Sequence, residues 1–447
     1  MPRNPADEAL LQDLLNAARK AGAEAADASL SRRESLSIDV RLGELEGVER
    51  EEGRSVALRA MVGKRQAGAT STDLSPAGLA ALVERTVAMA KAAPEDPYCG
   101  LADKTLLAAS IPALDAEDSV RPDAARLEAL AREAEEAALA VAGVTNSSGA
   151  SAAFDMGAFA FATTHGFAGS ASGTRYHVDV SPLAERDGLK ERDWEGRTTR
   201  FFAELPSASE IGRIAGERTA ARLGGRKIAS GAAPVIFENR VAGRLIGPLL
   251  GAISGGAIAR GVSFLRDKLG ARIFPEGFEI EDDPLRPRGL SSRPFDGEGV
   301  AVSKRNLIED GVLTTWLLNS AAARQLNLKT TGHATLGHGG PPGIGASNIT
   351  VKPGEGDLSA LMRKAGKGVL ITDIFSPSLN PNTGDYSIGV AGFWFEDGVA
   401  AYPVNEITVA GNMKEMYARL VAGGDLDRRG GLDTPSLLVE SMAIGGL

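Results

Sequence analysis

The chain of 447 residues contains four histidines and one cysteine, so few side chains could serve as catalytic bases or as soft metal ligands. His333 and His338 lie five residues apart in a glycine-rich segment, and this spacing could bring two imidazoles onto one metal ion. The alternative is a loop whose histidines bond to backbone or water. Because no Cys, Asp or Glu lies within the segment, the sequence favours the loop.

Carboxylates provide a second candidate cation site. Oxygen ligands suit calcium and magnesium, but this spacing matches no known binding loop, so a solvated turn is predicted. The acidic run precedes Pro284 and consists of Glu279, Glu281, Asp282 and Asp283. His177 is predicted to lie on the polar face of a strand with Arg175 and Asp179, where it would be solvated.

Composition excludes several classes of function. The counts of 49 basic and 58 acidic residues give a net charge of −9, which disfavours direct binding to nucleic acid. No run of about 18 apolar residues is present, so no membrane span is predicted. The first residues do not resemble a signal peptide. Cys99 is the only cysteine, so no internal disulfide can form, and we expect a structural thiol in a cytoplasmic protein.

The N-terminal half alternates between helical and strand patterns. Apolar stripes predict helices at about 5–21, from Ser75-Pro76 to Pro94, at 122–141 and at 207–223. Alternating residues predict strands around 36–40, one or two strands within 56–67 broken at Gly63, and an antiparallel sheet within 151–200. Four prolines indicate a linker that crosses the surface at 94–123. These patterns predict an α+β domain at 1–115 and a central helix and antiparallel sheet region at 116–230.

From residue 231 onward the pattern changes to short strands and tight turns. Asp310-Gly311 and Asp397-Gly398 each lie between apolar runs and predict β-hairpins. Helices are fewer, at 241–252, 319–325 and 413–420. The prediction is a β-rich C-terminal domain at 231–447, which completes an α+β fold with antiparallel hairpins and few helices.

Several sequence blocks, taken in order, resemble the TldD/PmbA family, and specifically its PmbA (TldE) branch. The longest block reads Asn-Pro-Asn-Thr-Gly-Asp-Tyr-Ser-Ile-Gly-Val-Ala-Gly at 380–392. The others lie at 295–299, 307–313, 395–398, 402–404, 407–412 and 435–440. The resemblance covers nearly the whole chain and implies that 231–447 is a degenerate metallopeptidase domain.

The resemblance also locates the positions where the related zinc peptidase has its His-Glu-x-x-x-His motif. In this chain Glu238, Asn239 and Gly243 occupy them. The family's further ligand, a cysteine near the C-terminus, has no counterpart after Cys99. Glycine offers no side chain and asparagine is a poor zinc ligand, so no metal ligand, catalytic residue or cofactor is predicted in this chain.

The family implies a function for such a chain as the non-catalytic subunit of a cytoplasmic peptidase. A TldD-like partner would carry the zinc in a heterodimer that degrades unfolded peptides, and the name "modulator of DNA gyrase" comes from processing of small peptides. We expect the substrate to touch the loop containing Thr383, Gly384, Asp385 and Ser387, unless these residues only form a turn. The alternatives are a homodimeric peptide-binding protein without catalysis, and an enzyme that uses His333 and His338 with another metal.

Overall fold

The computed structural model describes residues 5–447, in which nine α-helices occur. They are α1 (Pro5–Lys20), α2 (Pro76–Ala92), α3 (Ala124–Leu139), α4 (Ala208–Ala221), α5 (Asn239–Ala252), α6 (Gly255–Ala259), α7 (Ser320–Gln325), α8 (Leu358–Ala365) and α9 (Met413–Tyr417). The predicted helices of the N-terminal half are confirmed. Ser75 and Ser207 cap α2 and α4, because their hydroxyls accept the free N–H groups of Gly78 and Glu210.

A seven-stranded antiparallel sheet forms the centre of the N-terminal half. Its strands are β1 (Ala25–Arg41), β2 (Glu44–Val62), β3 (Arg65–Ser71), β4 (Val144–Thr163), β5 (Ala168–Arg186), β6 (Leu189–Arg192) and β7 (Glu195–Thr199). The order is β3-β2-β1-β4-β5-β6, and β7 also pairs with β5. Because β1 pairs with β4 along most of its length, the sheet runs continuously across the predicted boundary at residue 115.

The two faces of this sheet have different neighbours, because side chains alternate along each strand. One face packs on the helices: Leu30 and Leu58 join α1 and α2 in one core, and Ile38 and Tyr176 join α3 and α4 in another. The opposite face meets the C-terminal region. There Phe161 and Phe167 pack with Phe295, and the rings of Phe167 and Phe295 lie 4.9 Å apart.

The segment predicted as a surface linker is partly buried. Leu101 and Ala102 lie in the interior, and Leu107 forms a β-bridge with Val300 of the C-terminal region. The prediction of a linker crossing the surface is therefore wrong for this part of 94–123. Proline removes backbone donors and breaks periodicity, but the remaining N–H groups still pair with a neighbouring segment.

The C-terminal region contains the remaining strands in two larger sheets and one short pair. They are β8 (Gly231–Phe237), β9 (Ile280–Asp282), β10 (Arg305–Glu309), β11 (Val312–Leu313), β12 (Ala334–Thr335), β13 (Gly343–Ile344), β14 (Ile349–Val351), β15 (Lys367–Leu379), β16 (Asp385–Glu396), β17 (Val399–Asn412), β18 (Leu420–Ala422), β19 (Leu432–Asp433) and β20 (Leu437–Gly445). The predicted hairpins are confirmed: Asp310 and Asp397 take left-handed backbone angles in the turns.

Helix α5 packs at the centre of the largest core. Its apolar stripe of Ala242, Leu245, Ile246 and Leu249 is fully buried among the strands of the C-terminal region. The six-stranded sheet has the order β17-β16-β15-β8-β20-β18, and its first strand, β17, also pairs with β20. The mixed α+β fold is thus confirmed. Over residues 5–447, no helix is long and apolar enough to cross a membrane.

Close helix packing in the N-terminal half leads to a stability prediction. A Cβ atom at Gly212 of α4 would lie 2.0 Å from the carbonyl oxygen of Ala134 in α3. We expect Gly212→Ala to lower the free energy of unfolding by about 1–3 kcal/mol, because the helices would have to separate. The control is Gly251→Ala in α5, where a Cβ atom would meet no atom within 4 Å beyond the adjoining residues and the helix's own backbone, and where alanine favours the helix. Equal urea midpoints for the two variants would contradict the prediction.

Candidate functional site: the start of helix α5 and the interdomain groove

The corner between β8 and α5 is where the sequence predicts a lost zinc motif. Glu238 is the N-cap of α5, and its carbonyl oxygen accepts the N–H groups of Val241 and Ala242, both at 2.8 Å. Its side chain makes no capping bond. The carboxylate instead accepts a hydrogen bond from Nε of Arg240 at 2.9 Å, so its charge is already paired inside the corner.

Arg240 fills the space in front of this corner. Its side chain is 1% exposed, and Nη1 donates to Asp193 Oδ1 at 2.9 Å and to the carbonyl oxygen of Trp194 at 3.0 Å. Burial by itself lowers the pKa of Arg240, but the charges of Glu238 and Asp193 hold that pKa above its ordinary value. The guanidinium is therefore a fixed cation at the start of the helix.

The other two motif positions are occupied by packing and backbone bonds. A Cβ atom at Gly243 would lie 3.2 Å from Cδ2 of Leu432, so the leucine covers this position. Asn239 donates from Nδ2 to the carbonyl oxygen of Asp425 at 2.9 Å, and its N–H donates to Ser436 Oγ at 3.1 Å. These contacts attach the start of α5 to the C-terminal tail.

A second buried cluster lies beside the corner and surrounds Glu195, whose side chain is 0% exposed. Its carboxylate pairs with Arg218, with Arg429 at 2.7 Å and with Arg197 at 3.4 Å. Asp427 joins Arg197 and Arg429, each at 2.9 Å. The two clusters link α4 and β7 to α5 and the tail, so ion pairs bridge the central and C-terminal regions.

These residues do not fit a zinc ion. The carboxylate of Glu238 is engaged by Arg240, Gly243 has no side chain, and Leu432 occupies the adjacent space. A fixed arginine also opposes a second cation at this distance. Within 5–447, no group of three or more His, Cys, Asp or Glu side chains could hold a metal ion.

His333 differs from its prediction. It is 3% exposed, and its Nε2 lies 2.9 Å from Oδ2 of Asp282, which is itself 1% exposed in β9. The imidazole's Nδ1 lies 2.8 Å from Thr331 Oγ1. The prediction that the loop's histidines bond to backbone or water is therefore wrong for His333, and the prediction of a solvated turn is wrong for Asp282, because the fold brings His333, just before β12, against β9. Burial raises the pKa of Asp282, but hydrogen bonds from His333 and Ser347 lower it below its ordinary value.

The other histidines and acidic residues that the sequence singled out do not join the buried pair of His333 and Asp282. His338 is exposed at the groove described below, away from the buried pair of His333 and Asp282, so His333 and His338 do not form one ligand set. Glu279 and Glu281 make exposed or half-buried ion pairs with Lys352 and Lys304. His177 is half-buried: its Nδ1 lies 2.8 Å from Thr198 Oγ1, and its Nε2 lies 2.8 Å from Asp179 Oδ1.

The loop predicted to touch peptide is a well-bonded turn. Asn380 Oδ1 accepts the N–H of Thr383 at 3.4 Å, and Gly384 has a left-handed φ of 86°. Asp385 accepts from Thr383 Oγ1 at 2.6 Å and from Asn412 Nδ2 at 2.8 Å, and these bonds lower its pKa. Ser387 lies inside β16 and not in the loop. A role in peptide binding stays a prediction.

Two carboxyl groups are buried side by side where the C-terminal region meets the N-terminal half. Asp296 accepts N–H bonds from Glu298, Val300 and Ala334 at 2.9, 2.9 and 3.2 Å. Glu298 accepts the N–H of Ser320 at 2.8 Å at the start of α7. Burial, followed by the charge of Glu298, raises the pKa of Asp296 to about 7, and burial also raises the pKa of Glu298.

A groove runs between the open face of the seven-stranded sheet and the C-terminal region. We call this cavity of about 520 Å³ the interdomain groove; it is lined by Arg33, Gly157 and Arg175 from the sheet and by Leu336 and His338 opposite. A second cavity of about 590 Å³ adjoins it under residues 108–116. Cavities of this size accommodate small ligands or a few peptide residues.

Models of protein families match the chain in three parts. Residues 230–446 match the PmbA/TldA metallopeptidase C-terminal domain, 26–90 match domain 1, and 114–223 match the central domain. The chain belongs to the PmbA/TldD family. Glu238, Asn239 and Gly243, the positions of the predicted lost zinc motif, lie within the matched C-terminal domain.

Relatives and solved structures agree with this membership and favour the PmbA branch. The chain is 38% identical to metalloprotease PmbA of Escherichia coli O157:H7, over 95% of this chain and 92% of the relative. It is 36% identical to a PmbA homologue of Haemophilus influenzae, over 96% and 94%. The fold matches TldE from Thermococcus kodakarensis with a TM-score of 0.84, at 19% identity over 98% and 100% of the chains. It also matches a candidate modulator of DNA gyrase from Bacteroides thetaiotaomicron with a TM-score of 0.92, at 24% identity over 99% and 100%.

Sequence reasoning did not find the partners that fill the corner. Leu432 and Asp193 carry no motif, and each reaches α5 from a distant part of the chain. One signal was available for Asp296 and Glu298, because both lie in the family block at 295–299. Cys99 fits its structural role, since burial raises the pKa of its thiol and disfavours the reactive thiolate.

The ion pairs at the corner predict a large stability effect. Arg240→Met retains most of the side-chain volume but leaves Asp193 and Glu238 without their shared cation. We expect the free energy of unfolding to fall by about 3–5 kcal/mol in urea denaturation. The matched control is Arg244→Met, one turn later on the exposed face of α5. A loss of the same size in both variants would mean that Arg240 makes no special contribution.

The buried carboxyl pair predicts a pH dependence with a defined sign. The raised pKa of Asp296 means that the folded protein keeps a proton that the unfolded chain has lost. This contribution to stability is present below about pH 4 and is lost as the pH rises through about 7. Glu298→Gln removes the neighbouring charge, and its amide oxygen can still accept from Ser320.

We therefore expect the melting temperature of Glu298→Gln to fall less between pH 5 and pH 8 than that of the unaltered protein. Differential scanning fluorimetry at several pH values measures this difference. Glu276→Gln, at an exposed position, is the control and should follow the unaltered protein. An unchanged pH slope in Glu298→Gln would refute the assignment.

Proposed function

We propose that this chain is the non-catalytic subunit of a TldD/TldE-type zinc peptidase that degrades unfolded peptides. The observation that carries the proposal is the filled corner at α5. Arg240 pairs with Glu238, and Leu432 covers Gly243, at two of the three positions that the family resemblance assigns to the zinc motif. The zinc would belong to a TldD-like partner in a heterodimer, and the family's usual place is the cytoplasm.

The interdomain groove supports a role in holding peptide. The groove is open, and the adjoining cavity under residues 108–116 extends it. Its sheet wall carries small residues such as Gly157, Ala171 and Gly173. A wall of small residues lets an extended backbone approach closely, so selection among side chains would be weak. We favour this groove over the loop of Thr383, Gly384, Asp385 and Ser387, because the polar groups of that loop largely bond to one another.

The filled corner predicts that zinc binding and peptide cleavage require the partner subunit. We expect the purified chain, incubated with zinc and desalted, to retain roughly a tenth of an equivalent or less, because it lacks a ligand set. Alone, it should not cleave an unstructured fluorogenic peptide. Mixed with a TldD-type subunit, it should form a heterodimer that cleaves faster than the partner alone. Metal analysis, light scattering and a peptidase assay measure these outcomes.

Two results would overturn the proposal. Zinc-dependent cleavage by this chain alone would make it a catalyst. A stable homodimer that ignores the partner would instead favour a stand-alone peptide-binding protein. The control for the mixture is a partner whose motif glutamate is replaced, so that any remaining cleavage cannot come from the partner's own site.

A further inference from the structure

Two arginines in the interdomain groove have no carboxylate within ion-pair distance in the described chain. Arg200 is 9% exposed and donates only to backbone carbonyl oxygens: Thr174 at 3.2 Å, Gly289 at 3.3 and 3.2 Å, and Leu290 at 2.9 Å. Arg175 donates to the same Leu290 oxygen at 2.9 Å. Two guanidinium groups therefore share one neutral acceptor, whereas buried charges are normally paired with an opposite charge.

The sheet leaves space for this buried cation. A Cβ atom at Gly173 of β5 would lie 2.5 Å from Nη1 of Arg200, so only glycine allows the guanidinium to lie against the strand. Burial, followed by the charge of Arg175, lowers the pKa of Arg200 to about 10, which still leaves it charged at neutral pH. The groove thus concentrates positive charge in a chain whose net charge is −9.

The carboxylate that lies opposite Arg175 on the sheet already makes an ion pair with another arginine. Asp155 lies directly opposite Arg175 in the register of β4 and β5. Its Oδ1 accepts from Nη2 of Arg33 on β1 at 3.0 Å. Arg33 also pairs with Glu51 at 3.7 Å, whereas among the described residues neither Arg175 nor Arg200 makes an ion pair.

We propose that Arg175 and Arg200 form a carboxylate-binding site in the interdomain groove, and that its ligand is a carboxylate of an extended peptide. Arg175 is exposed and uses one N–H for Leu290, so its other donors can hold a carboxylate in the bidentate geometry that arginine favours. Arg200 donates to the backbone of the loop at 289–290, and its buried positive charge adds to the charge of Arg175. The identity of the ligand as a peptide rests on the proposed function, whereas the excess of positive charge does not.

Isothermal titration calorimetry on the full chain alone tests the site. The probes are three N-acetylated peptides of otherwise neutral residues: one with a free α-carboxylate, one amidated, and one amidated with an internal glutamate. We expect the free acid to bind about tenfold more tightly than the neutral amide. Tight binding of the glutamate peptide as well would assign the site to any peptide carboxylate, and its absence would assign the site to the chain terminus.

Substitutions test whether Arg175 is responsible for the preference for the free acid. Arg175→Ala should abolish the preference for the free acid, whereas Arg85→Ala should retain it. Arg85 is the matched control, since it is also exposed and donates to one backbone carbonyl, that of Thr70, at 3.1 Å. Asp155→Asn should strengthen binding of the free acid a few-fold without changing the amide, because it removes the negative charge beside Arg175. A folding defect cannot produce that gain.

The proposal is wrong if acid and amide bind equally, or if Arg175→Ala retains the preference. These measurements involve no partner and no cleavage, so they fail independently of the proposed function. A complex that cleaves peptides normally while the chain shows no preference for carboxylate would refute only the site. A carboxylate preference in a chain that does not assemble would refute only the function.

Discussion

The ion pair between Arg240 and Asp193 is the interaction on which the start of α5 depends. It buries a cation beside Glu238, at the corner where the sequence predicts a lost zinc motif, and it joins the central region to the C-terminal region. Breaking a buried pair leaves a charge without compensation, so such a pair resists change of either partner alone. The predicted loss of the zinc motif therefore coincides with a corner whose charged groups already pair with one another.

The neighbouring cluster around Glu195 also joins separate parts of the chain through ion pairs to a buried carboxylate. Arg218 and Arg197 come from the central region, and Arg429 comes from the tail, so one buried carboxylate holds three parts of the chain. Leu432, three residues after Arg429, then covers Gly243. The tail thus packs on the corner and pairs with its charged neighbours.

The interdomain groove, in contrast to the filled corner, is an open cavity between the two halves. Its sheet wall is continuous because β1 pairs with β4, so the first and central regions present one surface. The buried carboxyls of Asp296 and Glu298 lie where the C-terminal region meets this sheet, and their raised pKa values make the contact sensitive to pH. Charged side chains thus lie in both the filled corner and the open groove.

The sequence by itself determined the α+β fold, the helices capped by Ser75 and Ser207, and the hairpin at Asp310-Gly311, because caps, turns and periodicity act over a few residues. Its blocks also identified the family, and they predict that zinc ligands are missing at Glu238 and Gly243. Only the tertiary structure decided that Asp282 pairs with His333 and that Leu432 covers Gly243. These contacts join residues 51 and 189 positions apart, and no local pattern specifies which distant strand will bury a given side chain.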